Sequence, residues 1–229
     1  KKRGLRLAHL AAGTRSFDIN MPKEINRLVI DGLSALLFTA GTGTGTTAPP
    51  AKVYVVGNIL IDNLRANMER FRQPDCVKPF DGGDYALLTV NRRALLTNAD
   101  LLRQLLLVAS AGLEHMPVFM PLRPEAAQVV EPLVEGLENM HIIEPLPYLE
   151  FGHLIAHAKV IVTDSGSVAD EATFCGVPCV TLNSYTEHIE TVKQGTNTLV
   201  SEDPLLLASA LLDIVEGEPR QYSLPDRRD

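Results

Sequence analysis

The stretch richest in chemistry is Val160-Ile161-Val162-Thr163-Asp164-Ser165-Gly166-Ser167-Val168-Ala169-Asp170-Glu171-Ala172. An apolar run of strand character enters a turn of small residues, and the turn opens a helix. The first N–H groups of a helix have no intrahelical partner and carry partial positive charge, so such a turn suits a phosphate or pyrophosphate. Ser165 and Ser167 add hydroxyl donors, Gly166 lets a ligand approach the backbone, and Glu171, one turn in, can accept from ribose hydroxyls. An ordinary capped helix, with Ser165 or Asp164 as N-cap, is the competing reading and stands level with it on this stretch alone. Arg92 and Arg93 follow a strand end and either meet phosphate or sit exposed. His153 and His157 have a spacing that can bind metal, but no third ligand accompanies them, so no metal is expected. Cys175 and Cys179 flank a turn before an apolar strand and read as small buried thiols.

The elements that must position these groups alternate. Strands are predicted at Leu5–Leu10, Leu36–Thr39, Val53–Val56, Ala86–Val90, Val118–Pro121, His141–Ile143, Val160–Thr163 and Cys179–Leu182. They are short and mostly apolar throughout, as parallel strands buried on both faces are. Helical spacing predicts helices at Lys23–Leu37 (Ile25, Leu28, Val29, Leu33 and Leu36 on one face), Asn98–Ala111, Ser167–Cys175 and Pro204–Val215. Strand–helix alternation of this kind makes βαβ units and a doubly wound parallel α/β sheet. Two segments interrupt it. Gly41–Pro50 is glycine-rich, yet no helix pattern follows and the P-loop Lys is missing, so it reads as a linker. Arg72–Asp84 is polar with paired glycines and reads as a surface loop. The expected organisation is a short first piece over 1–40, a linker over 41–52, an α/β domain over 53–216 and a tail over 217–229.

The composition sets bounds on function. The 229 residues are 45% hydrophobic and 21% charged, enough apolar material for a core and too little charge for disorder. A net charge of −7 argues against a general nucleic-acid or anionic-membrane binder. No apolar run approaches the ~20 residues of a membrane span. The basic start, Lys1-Lys2-Arg3, has no long apolar run behind it, so no signal peptide is expected. Three cysteines fit a reducing cytosol better than a disulfide framework, and the expected location is cytoplasmic.

The order of motifs resembles one family. After the Asp164–Glu171 stretch come Gly176-Val177-Pro178, then Tyr185-Thr186-Glu187-His188-Ile189-Glu190, then Gly195-Thr196. This order resembles the C-terminal domain of the non-hydrolysing UDP-N-acetylglucosamine 2-epimerases, whose signature runs DSGG, two acids, a G-P turn, a TTERPE-like segment and G-T. Upstream, His9-Leu10-Ala11-Ala12-Gly13-Thr14-Arg15 is similar to H-x-E-A-G-x-R, and Pro22-Lys23-Glu24-Ile25-Asn26-Arg27 to P-E-E-x-N-R. Gly57-Asn58-Ile59-Leu60-Ile61-Asp62 resembles G-N-x-x-x-D, Thr89-Val90-Asn91-Arg92-Arg93 resembles T-x-H-R-R, and Leu146-Pro147-Tyr148-Leu149-Glu150-Phe151 resembles L-x-Y-x-x-F.

The resemblance implies two Rossmann-like halves of the GT-B kind, with the C-terminal half complete and most of the N-terminal half outside this sequence. It also implies UDP or a UDP-N-acetylhexosamine as ligand, no cofactor, a role in cell-surface polysaccharide precursor synthesis, and a homodimer. The family reaction inverts C2 of UDP-GlcNAc by eliminating and re-adding UDP, which calls for acid–base carboxylates and a stabilised leaving group. The family's glutamates in H-x-E-A-G and P-E-E and its His in T-x-H-R-R are here Ala11, Lys23 and Asn91. Ala11 cannot move a proton, Lys23 as an ammonium is no base, and Asn91 cannot titrate. Glu24, beside Lys23, reads as a solvated helix-start acid. His9 either lies near the cleft or makes a structural hydrogen bond. The nucleotide-side matches are better kept, at Ser165, Gly166, Glu171, Arg27 and Phe151 at the uracil, and Ser167, Arg92 and His188, the last in place of the family's Arg, are the further UDP contacts expected. Arg27, Asn91 and Glu187 are what remains on the catalytic side. Three activities are consistent with this pattern: a UDP-GlcNAc 2-epimerase, a degenerate UDP-sugar-binding homologue with a regulatory or scaffold role, and a GT-B-like glycosyltransferase.

Overall fold

The computed structural model describes residues 4–41, 52–80, 83–186, 189–193 and 195–217. Two compact units divide between Arg65 and Ala66. In the first, β1 (Ala8–Ala12), β2 (Leu36–Thr39) and β3 (Val53–Val55) form a parallel sheet in that order, with α1 (Pro22–Leu33) between β1 and β2; α2 (Ile59–Asn67), after β3, contains the division. Val53–Val55, expected to open the second domain, instead pairs with Leu37–Thr39 and completes the first sheet. Segment 41–52 therefore joins two strands of one unit, and its residues 42–51 lie outside those described.

β1 starts later than its apolar run predicts, and its register slips between Leu10 and Ala12, leaving Ala11 as a bulge with φ +55°. α1 begins with Pro at its first turn and stops at Leu33, because Ser34 turns back on the helix: its N–H and Oγ both donate to the Ile30 carbonyl. The predicted apolar face does not make the core of this unit. Ile25, Leu28, Val29 and Leu33 are exposed, and the buried side chains of α1 are Glu24 and Asp31.

The second unit carries a six-stranded parallel sheet in the order β6-β5-β4-β7-β8-β9. The strands are β4 (Ala86–Thr89), β5 (Val118–Pro121), β6 (Met140–Ile143), β7 (Val160–Thr163), β8 (Cys179–Thr181) and β9 (Asn197–Leu199). All of β4 and β7 is buried, as expected of central parallel strands. Helices cover both faces. One apolar cluster packs α4 (Ala99–Gly112), α5 (Pro124–Val130) and α9 (Pro204–Val215) onto one face; the other packs α6 (Tyr148–His157) and α7 (Gly166–Cys175). The short α3 (Arg93–Leu96) follows β4, and α8 (Ile189–Lys193) precedes β9. This is a Rossmann-like doubly wound α/β architecture, as the alternating pattern predicts.

Arg72–Asp84 differs from the surface loop expected of it. Asp75–Phe80 forms a 3₁₀ turn, Val77 is buried, and the Phe80 ring meets Phe119 edge-on at 5.5 Å. Phe71, just before it, packs so closely on α6 that a Cβ on Gly152 would lie 2.5 Å from its ring, so any larger residue there has to displace the ring. β9 escapes the pattern because its polar residues pair inward: Thr181 Oγ1 donates to Asn197 Oδ1 at 2.6 Å, and Asn197 Nδ2 donates to Thr191 Oγ1 at 3.1 Å.

Candidate functional site

The strand order reverses between β4 and β7, and ligands of doubly wound sheets bind outside the carboxyl ends at that point. Both strands end there in turns that carry the expected residues: Asn91 and Arg92 after β4, and Ser165, Gly166 and Ser167 after β7. The hydroxyls of Thr89 and Thr163 meet at 2.6 Å at the last rung between these strands. One residue further, Asp164 Oδ2 accepts the backbone N–H groups of Asn91 at 2.7 Å and Arg92 at 2.6 Å. Asp164 is 1% exposed, and its Oδ1 has no hydrogen-bond partner. Asn183, just past β8, donates to the Asp164 carbonyl at 3.2 Å and leaves its own buried Oδ1 unpartnered. Burial pushes the Asp164 carboxyl up, and the Arg92 and Asn91 N–H bonds and the Arg92 charge only partly offset it.

Asp164 is therefore not the helix cap offered for it in the competing reading. Ser165 holds the N-cap position of α7, but its side chain caps no helix N–H; its Oγ pairs with Ser167 Oγ at 3.1 Å, and its N–H donates to Thr163 Oγ1. The first turn of α7 thus carries its N–H groups and two hydroxyls without a side-chain cap, an arrangement suited to an anion. Arg92 is half-buried, with its guanidinium 5.6 Å from the centre of the Tyr185 ring, and Arg93 is exposed as the first residue of α3.

Glu171 lies further along α7, half-buried. Burial, with Asp170 adding repulsion, pushes its carboxyl up to about 7. Phe151 is half-buried on α6, packed against the apolar cluster that α6 and α7 share. Glu187 and His188 lie outside the described residues. A separate hollow of about 400 Å³ opens at the carboxyl ends of β5 and β6, between Leu122, Gln128, Glu131, Ile143 and Glu144, and contains none of the expected site residues.

The remaining candidates lie in the first unit, in a buried charge cluster. Arg15 donates to Asp31 Oδ2, and His9 Nδ1 lies 2.5 Å from Asp31 Oδ1. Glu24 Oε2 accepts the Ser16 N–H at 2.9 Å and Ser16 Oγ at 3.0 Å, with Arg15 and Arg27 each 3.8 Å from its carboxylate. Glu24 is 3% exposed, so the solvated acid expected at this position is instead a buried, paired one. Burial pushes its carboxyl up, but the Ser16 bonds and the Arg15 and Arg27 charges hold it below the usual range. Ala11 and Lys23, where the resemblance calls for glutamates, are both exposed.

His153 and His157 stack ring on ring at 4.0 Å, and among the described residues no group of three or more His, Cys, Asp and Glu is placed to hold a metal ion. Cys175 and Cys179 are free thiols, half-buried and buried respectively; burial pushes them up to about 11 and about 12. No described helix is long and apolar enough to cross a membrane. Asp164 is expected as a helix cap and instead ties two turns together, and Asn183 carries no sequence signal at all. Which strand ends become neighbours depends on sheet order, and no local pattern encodes that.

Residues 1–226 match the family described as UDP-N-acetylglucosamine 2-epimerase. A UDP-N-acetylglucosamine 2-epimerase of Methanococcus maripaludis is 34% identical over 221 residues, covering 89% of this chain and 60% of the relative. A UDP-2,3-diacetamido-2,3-dideoxy-D-glucuronate 2-epimerase of Pseudomonas aeruginosa is 34% identical over 204 residues, covering 85% and 56%. The crystal structure of Methanocaldococcus jannaschii UDP-GlcNAc 2-epimerase, in complex with UDP-GlcNAc and UDP, superposes with a TM-score of 0.85 at 32% identity over 98% of this chain and 66% of that one. This chain thus spans about three fifths of the length of the curated relatives it matches.

Proposed function

This chain belongs to the UDP-N-acetylglucosamine 2-epimerase family, and we propose that it binds a UDP-activated 2-acetamido sugar at the carboxyl edge of its six-stranded sheet. The family reaction, interconversion of UDP-GlcNAc and UDP-ManNAc by elimination and re-addition of UDP, is impaired in this chain at the C2 proton transfer. One contrast carries this reading. The phosphate end of the site keeps an uncapped α7 N-terminus, two serine hydroxyls and Arg92, whereas the positions of the family's proton-moving glutamates hold an exposed methyl group at Ala11 and an exposed ammonium at Lys23. Glu24 does not replace Lys23, because it is committed to Ser16 and Arg15.

In this account the diphosphate accepts from the first turn of α7 and from Ser165 and Ser167, with Arg92 balancing charge from the β4 side. Glu171 faces the ribose and Phe151 the uracil. Loss of a single acid–base group typically costs 10²–10⁴-fold in rate, and here three such positions differ. The nucleotide class is supported by the M. jannaschii relative, whose structure holds UDP-GlcNAc and UDP. Both curated relatives named above act on UDP sugars that carry a 2-acetamido group.

Residual epimerase activity is a second reading, with one observation in its favour. A carboxyl pushed up to about 7, as Glu171 is, can both give and take a proton near neutrality. Calorimetric titration with UDP and UDP-GlcNAc tests the main reading. Binding should be weakened about tenfold or more by Arg92→Ala and by the double change Ser165→Ala/Ser167→Ala. Wild-type protein that takes up neither ligand would contradict it.

A further inference from the structure

We propose that Asp164 is a positioning residue for the diphosphate: its carboxylate clamps the turn after β4 to the turn after β7, so that Arg92 and the start of α7 address one anion. The inference rests on the nucleotide crevice described above and adds a residue to it.

Three observations carry it. Asp164 Oδ2 accepts two successive N–H groups, Asn91 and Arg92, from the neighbouring strand's turn at 2.7 and 2.6 Å, while the Asp164 backbone lies in the turn that leads into α7. No other side-chain bond among those found in the described residues joins these two turns. The Thr89–Thr163 hydroxyl pair ties the strands one step below, and Asn183 holds the Asp164 carbonyl from the β8 side, so the carboxylate sits at the centre of a three-strand rim. The geometry also carries a cost. Asp164 is 1% exposed, its Oδ1 is unpartnered, and its negative charge stands beside a crevice suited to anions. A side chain without an acceptor there would leave both N–H groups unpaired.

Asparagine separates the acceptor from the charge. In Asp164→Asn the amide oxygen still accepts both N–H groups, and the repulsion toward a diphosphate is gone. In Asp164→Ala both N–H groups lose their acceptor. The experiment is UDP titration of wild type, Asp164→Asn and Asp164→Ala, with the amide proton shifts of Asn91 and Arg92 followed by NMR. Ser110→Ala serves as a control that removes a hydrogen bond to Asn139, whose partners are Ser110 and Leu113.

Asp164→Ala should bind UDP about tenfold or more weakly, with both amide signals moved upfield. Asp164→Asn should bind at least as tightly as wild type with both signals near their original places, and the control should bind as wild type. Unchanged UDP affinity in Asp164→Ala overturns the proposal, as does Asp164→Asn failing as badly as alanine. Equal weakening in the Ser110→Ala control also overturns it, because the effect is then one of stability. Wild-type protein that binds no UDP is a different failure: it removes the nucleotide reading itself, and this proposal with it.

Discussion

Asp31, near the end of α1, reaches to both sides of the β1 bulge: its Oδ1 lies 2.5 Å from His9 Nδ1 within β1, and its Oδ2 accepts from Arg15 just after the strand. Both partners belong to the segment that contains the Ala11 bulge, so one buried carboxylate holds the backbone on both sides of that bulge. Removing one partner of a buried ion pair leaves the other charge uncompensated. Asp31→Ala is therefore expected to destabilise the first unit by about 3 kcal/mol, read as an earlier transition in urea. A change below the error of the titration would mean that the cluster is dispensable.

Much of this architecture was legible in the sequence. β2, β5, β7 and α9 fall within the bounds their patterns predict, because period and composition are local properties. The serine-rich turn was legible for the same reason. The burial of α1 was not. Its leucines and isoleucines carry the stronger periodic signal, yet the buried positions are Glu24 and Asp31, because their partners, His9, Arg15 and Ser16, come from a separate segment. Asp164 was read as a helix cap since its neighbours in sequence suggest one, and its true partners are 72 and 73 positions away.

Glu24 gives the first unit an acid sensitivity. Its folded carboxyl is held below the ordinary value of 4.5, so its stabilising contribution is present above that value and is lost as pH falls toward the depressed folded value. Glu24→Gln should remove that part of the pH dependence, making the melting temperature of the first unit less steep below pH 4.5. Identical slopes for the two proteins would contradict the assigned pairing.

Glu171 acts in the opposite sense. Its folded carboxyl is raised to about 7 from 4.5, so the folded state is penalised for holding the charge above 7 and the penalty is relieved as pH falls toward 4.5. Glu171→Gln should raise the melting temperature at pH 8 and change it little at pH 5. A stabilisation that is equal at both pH values would show that the carboxyl is not perturbed by its surroundings.

Ala11 occupies left-handed backbone at φ +55° with an exposed side chain. A β-carbon costs about 1 kcal/mol in this region, whereas glycine adopts it freely. Ala11→Gly should therefore stabilise the protein by up to about 1 kcal/mol despite its larger unfolded-state entropy. A loss of stability would indicate that the methyl group makes a contact worth more than the strain. Ala11→Glu should fold, since the position opens to solvent.

The central claim separates a kept nucleotide site from an impaired proton transfer. Proton NMR of UDP-GlcNAc with this chain in D₂O reads both at once. The account expects saturation transfer to the uridine protons with no deuterium entering at sugar C2 and no ManNAc anomeric signal. C2 exchange with a growing ManNAc signal at a family-like rate would contradict it, and would require that another residue does the work for which Ala11 and Lys23 are unsuited.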